Sequence, residues 1–150
     1  MLYKYITKNI KDMPTRSEIF VRVKPEDFGR VIKCDPSLLK NPLTSTNYPC
    51  KEFTIPSNPE NGVLYLGIYC HFDGYFDGVG AELHEKFNTY EEALNLVSLG
   101  DCSFIVGSID SYRCREGQDL FIRVCEGEEV VGCQDYLYIF EDDQWKGLKV

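Results

Sequence analysis

The sequence lacks several features that would assign it to a common functional class. No apolar run approaches the ~20 residues that a membrane-spanning helix needs, and the first residues hold no uninterrupted apolar stretch typical of a signal peptide. The seven cysteines include no C-x-x-C spacing, and only two histidines are present, so common zinc and redox sites lack their ligands. We therefore expect a soluble intracellular protein with reduced thiols, no metal and no cofactor.

Proline is absent from the second part of the chain, because all seven prolines lie before residue 60. Five of them fall in residues 35–62, where neither a helix nor a central strand can run, because proline fixes φ and removes a backbone donor. So long an irregular segment is unusual inside a compact domain. We predict a Pro-rich arm within a single domain, residues 1–150, and a functional role for that arm.

Two strands are predicted in the first half of the chain. Residues 18–24 alternate apolar and polar side chains, which is typical of a half-buried strand, and residues 31–34 are a candidate short partner for it. Residues 63–70 form an apolar, β-prone run with too few polar positions to face water, which indicates a central strand. Asp73 and Gly74 follow this strand, and we expect the Asp-Gly pair to supply the positive φ of a tight turn.

A pair of helices is predicted over residues 79–99. Val79, Leu83 and Phe87 recur every four residues and mark one apolar face, and Asn88 can end that helix in a left-handed conformation. Thr89 followed three residues later by a glutamate is a capping box for the second helix, and Gly100 stops it.

The remainder of the chain is β-rich. Residues 120–125 and 136–141 alternate, and Asp142 and Asp143 form the turn into another strand. The predicted fold class is α+β, with a mainly antiparallel sheet and the helix pair packed on one face.

Acidic charge is concentrated in the second half of the chain. Residues 1–75 hold ten basic and eight acidic side chains, whereas residues 76–150 hold six basic and sixteen acidic ones. Such a surface repels phosphate, so direct nucleic-acid binding is disfavoured and a basic protein partner is favoured; a merely solubilising surface is the alternative. Exposed tyrosines would add binding surface. The candidate partner-binding residues are Glu91, Glu92, Glu126, Glu128, Glu129, Glu141, Asp142, Asp143, Tyr48 and Tyr75.

One segment, His71–Gly80, concentrates groups that could carry chemistry. His71, Asp73 and Asp77 could act as general acids and bases in a small hydrolase or nucleotide-handling enzyme, and the three glycines could admit a ligand. The spacing matches neither a phosphate-binding loop nor a dinucleotide fingerprint, and no catalytic motif is recognisable elsewhere. A rigid structural turn is the favoured interpretation, so we predict no catalytic residue.

The same segment carries a resemblance. Residues 69–75 read Tyr-Cys-His-Phe-Asp-Gly-Tyr, residues 78–80 Gly-Val-Gly, residues 99–103 Leu-Gly-Asp-Cys-Ser and residues 138–145 Tyr-Ile-Phe-Glu-Asp-Asp-Gln-Trp. In patches over residues 63–145, the chain resembles small proteins of phages and bacterial mobile elements with a Tyr-Cys-His-Trp-Asp-Gly-Tyr signature. Phe72 replaces the usual tryptophan, and Asp143 stands where glycine is usual.

The resemblance implies a setting in which small accessory proteins inhibit host machinery. Together with the acidic half, it gives the leading hypothesis of an inhibitor that binds a basic host protein, such as a CRISPR–Cas effector. The alternatives are the small enzyme described above and a non-catalytic structural accessory protein, because neither fold nor motif fixes function.

Overall fold

A computed structural model describes residues 15–33, 52–71, 73–105, 108–111 and 122–150. Within these ranges, regular structure consists of short helical turns, two α-helices and strands that form two sheets. The elements are β1 (Ser17–Arg22), β2 (Val31–Lys33), β3 (Glu52–Thr54), β4 (Leu64–His71), α1 (Ala81–Lys86), α2 (Tyr90–Ser98), β5 (Cys102–Ile105), β6 (Ser108–Ser111), β7 (Arg123–Glu126), β8 (Tyr136–Glu141) and β9 (Gln144–Lys149).

The main sheet has seven strands in the order β6-β5-β4-β1-β8-β9, with β7 pairing to the first half of β4. β1 is antiparallel to β4 and parallel to β8, and β4 is parallel to β5. The remaining pairs are antiparallel. The α+β prediction is confirmed, but the sheet is mixed, because the helix pair forms the crossover that joins parallel strands β4 and β5.

The strand register shows which strand termini meet at each of the two ends of the main sheet. At the hairpin end, β1, β7 and β8 finish while β4 and β9 begin, as the pairs Leu64–Glu126 and Val21–Phe140 show. At the loop end, β4 finishes at His71 while β1, β5 and β8 begin. These two ends hold the two groups of residues for which the sequence predicts function.

The main core lies between one face of the sheet and the helices. α2 presents Ala93, Leu94 and Val97 to side chains of β1, β4 and β8, and all three are buried. Val79, Leu83 and Phe87 are buried beside them, as their spacing predicts. None of the helices in the described ranges is long and apolar enough to span a membrane.

The helix pair over residues 79–99 is confirmed, with two differences at its boundaries. A π-helical turn, Phe76–Gly80, precedes α1. The expected left-handed Asn88 is wrong, because Asn88 has no positive φ. Instead, the Phe87 N–H donates to the Leu83 carbonyl, and the Phe87 carbonyl accepts from Trp145 Nε1 at 2.8 Å. Gly100 (φ 73°) ends α2 as predicted.

The prediction of a half-buried strand over residues 18–24 is wrong for β1, since both of its faces are covered. Phe20, Tyr65 and Leu137 form a second, smaller cluster on the face away from the helices. Residues 127–135 cross that face, and the nearly buried carboxylate of Glu18 accepts hydrogen bonds from the backbone N–H groups of residues 133 and 134. A loop covers this face through backbone hydrogen bonds, and such contacts produce no periodic pattern in the sequence.

The expected partner of β1 is also wrong. β2 pairs with β3 in a separate two-stranded sheet, so residues 31–33 do not extend the main sheet. β3 itself falls within the predicted Pro-rich arm, 35–62, which is therefore not irregular throughout. Residues 34–51, the larger part of that arm, lie outside the described residues.

The β-rich C-terminal part is closer to its prediction. β7 begins at Arg123, and residues 120–121 of the predicted strand lie outside the described ranges. Asp142 and Asp143 join β8 to β9 with φ of 55° and 59°. Two left-handed residues define the type I′ turn that matches the twist of a two-residue hairpin, which confirms the predicted turn.

The contact between Phe20 and Gly67 gives a first stability prediction. The two residues are partners across β1 and β4, and a Cβ at position 67 would lie only 2.2 Å from the Phe20 ring. Gly67→Ala should therefore lower the free energy of unfolding by about 1–3 kcal/mol through overpacking, as measured by urea denaturation. In a Phe20→Val background the same substitution should cost much less; equal costs in both backgrounds would contradict the contact.

The N-terminal cap of α2 gives a second stability prediction. Thr89 Oγ1 accepts from the Glu92 N–H at 3.2 Å and donates to the Glu92 carboxylate at 2.7 Å. Thr89→Ala should cost about 1 kcal/mol of unfolding free energy, whereas Thr89→Ser should cost little because it keeps the hydroxyl. Thermal unfolding of both variants checks this, and an equal loss for serine would argue against the cap.

Candidate functional site

The positive φ predicted for the Asp73-Gly74 turn after β4 is present, and the structure shows which of the two residues adopts it. Asp73, not Gly74, adopts the left-handed conformation, with φ of 48°. Gly74 is required for another reason: a Cβ there would lie 3.0 Å from the Thr15 carbonyl oxygen, to which the Gly74 N–H donates. The glycine thus allows the turn to pass close to the chain that enters β1.

The other two glycines of the segment also face the protein's own atoms. A Cβ at Gly78 would lie 2.3 Å from the Asp73 carbonyl oxygen, and one at Gly80 would lie 3.1 Å from the Tyr138 ring. The buried Tyr138 hydroxyl donates to the Gly74 carbonyl at 2.6 Å, and burial raises the pKa of Tyr138. The space that the ligand-binding alternative would need is therefore occupied by the fold, and this supports the favoured structural interpretation.

The described contacts do not join the three candidate catalytic residues to one another. His71 Nδ1 shares a 2.7 Å hydrogen bond with the Tyr69 hydroxyl. The Asp73 backbone carbonyl accepts from the Val79 N–H, and Asp77 is exposed in the first turn of the π-helical segment. In the described ranges, no group of three histidine, cysteine or acidic side chains is placed to hold a metal ion. This geometry supports the structural interpretation of the segment, and the enzyme alternative stays a prediction.

A polar cluster that the sequence did not indicate lies near His71. Asp101 accepts from the Tyr69 backbone N–H at 2.7 Å and from the Arg123 guanidinium. It therefore links the start of β5 to β4 and β7. Residues 69, 101 and 123 are far apart in the chain, and only the strand pairing brings them together.

Two of the predicted partner-binding residues have contacts within the fold. Glu91 forms a two-pronged ion pair with Arg30, with N–O distances of 2.9 and 3.2 Å, and the hydrogen bond raises the pKa of Arg30. Glu92 belongs to the α2 cap. These contacts tie α2 to the turn after β1.

The three hairpin carboxylates each have a cation nearby. Glu141 and Asp142 both accept from Lys146 at 3.2 Å, which raises the pKa of that ammonium group. Asp143 lies 3.6 Å from Lys24. Glu141 also accepts from the Tyr65 hydroxyl at 2.9 Å. The ion pairs of Asp142 and Asp143 are exposed, so they contribute little to stability and can exchange for other cations.

The remaining predicted glutamates lie at the same end of the sheet. Glu126, Glu128 and Glu129 are exposed at the end of β7, and the described residues place no cation within ion-pair distance of them. Gly127 packs against the side chain of Glu60, which adds a fourth carboxylate. β7 and β8 are separated by β4 and β1, so this group lies about 14 Å from the hairpin carboxylates.

Two clefts open at the hairpin end on either side of Tyr90. One, of about 300 Å³, lies between the hairpin and Tyr90 and is lined by Lys24, Phe140 and Asp142 among others. The other, of about 450 Å³, is lined by residues that include Asp27 and Glu91. Both clefts combine an aromatic wall with carboxylates.

The one predicted partner-binding tyrosine within the described ranges does not join this acidic surface. Tyr75 is 40% exposed but lies at the loop end, with its ring 5.8 Å from that of Tyr136. Tyr65, Tyr136 and Tyr138 are buried, and Tyr48 lies outside the described residues. Tyr75 and the acidic residues thus lie at opposite ends of the sheet.

Comparisons with family models, with curated proteins and with solved structures gave no match. The resemblance to phage and mobile-element proteins stays a prediction.

The left-handed Asp73 gives a third prediction. Asp73→Ala should lower the free energy of unfolding by about 1 kcal/mol, because a left-handed φ is costly for alanine, whereas Asp73→Asn should be nearly neutral. Chemical denaturation of the two variants separates the backbone effect from that of charge. Equal losses would mean that the carboxylate itself holds the turn.

Proposed function

We propose that the protein is a non-catalytic binding protein whose acidic hairpin end docks on a basic surface of another protein. The observation that carries this is the charge collected at the hairpin end by strands that are distant in sequence. The described carboxylates there are Glu60, Glu126, Glu128, Glu129, Glu141, Asp142 and Asp143, and the cations beside them are Arg22, Lys24 and Lys146. The excess is negative, and it is exposed.

The two parts of this surface have different roles in the proposal. The glutamates of residues 126–129 supply negative charge that no described cation neutralises, so they dominate the field that a partner meets at a distance. The hairpin carboxylates form exposed ion pairs with Lys24 and Lys146. A cation of the partner can therefore replace either lysine at a small cost in free energy. The cleft of about 300 Å³ between the hairpin and Tyr90 would accept a long basic side chain between Phe140 and the hairpin carboxylates.

The kind of partner follows from this charge. Proteins that hold nucleic acid expose dense arrays of lysine and arginine, and an acidic surface can occupy such an array in place of phosphate. The resemblance to phage proteins makes a host defence protein the proposed target. We propose a CRISPR–Cas effector, whose heteroduplex channel is positively charged, in the cytoplasm of a bacterial host.

Binding kinetics against a purified basic effector test the proposal and give the fourth prediction. Glu128→Lys with Glu129→Lys should slow association about tenfold at low salt, because electrostatic steering is lost. The difference should shrink as added salt shortens the Debye length. Asp77→Lys with Glu85→Lys is the matched control, because it changes the net charge equally but at exposed sites in the π-helical turn and α1, outside β7 and the β8–β9 hairpin.

Three outcomes decide between the interpretations. Slower association for the first variant alone supports docking through the hairpin end. Equal slowing by both variants would mean that only the net charge matters. Unchanged rates in both would mean that the acidic surface is solubilising, and the proposal would fail. Inhibition of the effector's nuclease activity by the wild-type chain tests the identity of the target separately.

A further inference from the structure

The outer edge of β9 is the feature of the fold that the proposed function does not use. β9 is the last strand in the sheet order, and no described strand pairs with its outer edge. The two-residue turn makes Glu141 and Gln144 a hydrogen-bonded pair, and the Val150 N–H donates to the Asp135 carbonyl. Alternation along an antiparallel ladder then leaves the backbone groups of residues 145, 147 and 149 facing outward.

Exposed apolar side chains gather along this edge. Of the seven large hydrophobic residues that are exposed in the described ranges, five lie beside β9, and only Val31 and Val124 lie elsewhere. Leu148 and Val150 belong to the strand or its end, and Val131 is the neighbour of Gly132, which packs on Val150. The five are Tyr75, Phe76, Val131, Leu148 and Val150. These side chains flank the edge on both faces of the sheet, and exposed apolar groups beside a free strand edge favour an interaction there.

From these observations we propose that β9 pairs antiparallel with β9 of a second copy of this chain. The outward-facing backbone groups of residues 145, 147 and 149 would form hydrogen bonds between the two copies, which are related by a two-fold axis (the dyad). The exposed apolar side chains on both faces of the sheet would then become buried. Such a contact is isologous, since the same patch serves both partners. The dimer adds to the binding function proposed above and does not depend on it.

Charge along β9 favours a second copy in this orientation. The strand begins beside Glu141, Asp142 and Asp143 and carries its own cations, Lys146 and Lys149, in its middle and at its end. An antiparallel copy brings the basic end of one strand to the acidic end of the other, whereas a parallel copy would bring like charges together. Lys149 is exposed, and no described acidic side chain pairs with it.

Shape at the centre of the strand favours the same arrangement. The Phe76 ring lies over Gly147, where an added Cβ would approach the ring to 3.1 Å. Pairing symmetrically about Gly147 leaves no side chain on that face at the dyad, so the two Phe76 rings can approach each other there. On the other face, Leu148 of each copy lies opposite Lys146 of the second copy and can pack on its aliphatic stem.

The test is the mass of the full chain in solution. Light scattering and sedimentation, from micromolar to near-millimolar concentration, should give twice the chain mass of 17.3 kDa at the upper end. Leu148→Lys places two lysines opposite each other and should weaken association about tenfold or more. Val31→Lys is the matched control, because Val31 is similarly exposed, at 51% against 57%, but lies on β2, outside the main sheet; it should dimerise like the wild type.

A charge exchange then tests the orientation. Asp143→Lys and Lys149→Asp should each weaken the dimer, and the double variant should recover most of the wild-type affinity, because an opposite-charge contact is restored. A chain that stays monomeric throughout the concentration range would overturn the proposal. So would a Leu148→Lys variant that dimerises as well as the wild type, or a double variant weaker than both single ones.

Discussion

The fold depends on β4 being paired along both edges and covered on both faces. β1 occupies one edge over most of the strand, while β7 and β5 share the other, β7 along residues 64–67 and β5 along residues 70–71. A strand enclosed in this way has no position for an exposed polar side chain along most of its length, which is why residues 64–70 are almost entirely apolar. It also leaves no room for a side chain at Gly67, over which Phe20 lies.

The sequence predicts those features of the fold that are determined by neighbouring residues, and it does not predict those that are determined by contacts between distant residues. The α2 cap, the apolar stripes of the helices, the central strand and the Asp142–Asp143 turn are each encoded within a few neighbouring residues, and each is found. The partner of β2, the second covered face of β1 and the parallel pairing of β1 with β8 are decided by contacts across the whole chain. No spacing within a short window reports on them.

The same distinction applies to the candidate site. Sequence reasoning identified the carboxylates of residues 126–129 and 141–143, but only the strand order brings the two groups to one end of the sheet. It grouped Tyr75 with them, although the sheet places Tyr75 at the opposite end. It favoured a structural turn for residues 74–80 but left a ligand site open, because a glycine packed against the Thr15 carbonyl looks the same in sequence as one that faces solvent.

The position of β1 between β4 and β8 has a consequence for how the chain is made. The Arg16 N–H reaches the side chain of Asp135, 119 residues further along, and β1 cannot be enclosed before β8 has been synthesised. During translation, β4 can pair with β1 early, but one edge of β1 stays open until β8 has left the ribosome. Loop closure over so long a span is slow. We expect the nascent chain to expose an apolar strand edge in that interval, and to depend on chaperones then more than a protein with local pairing.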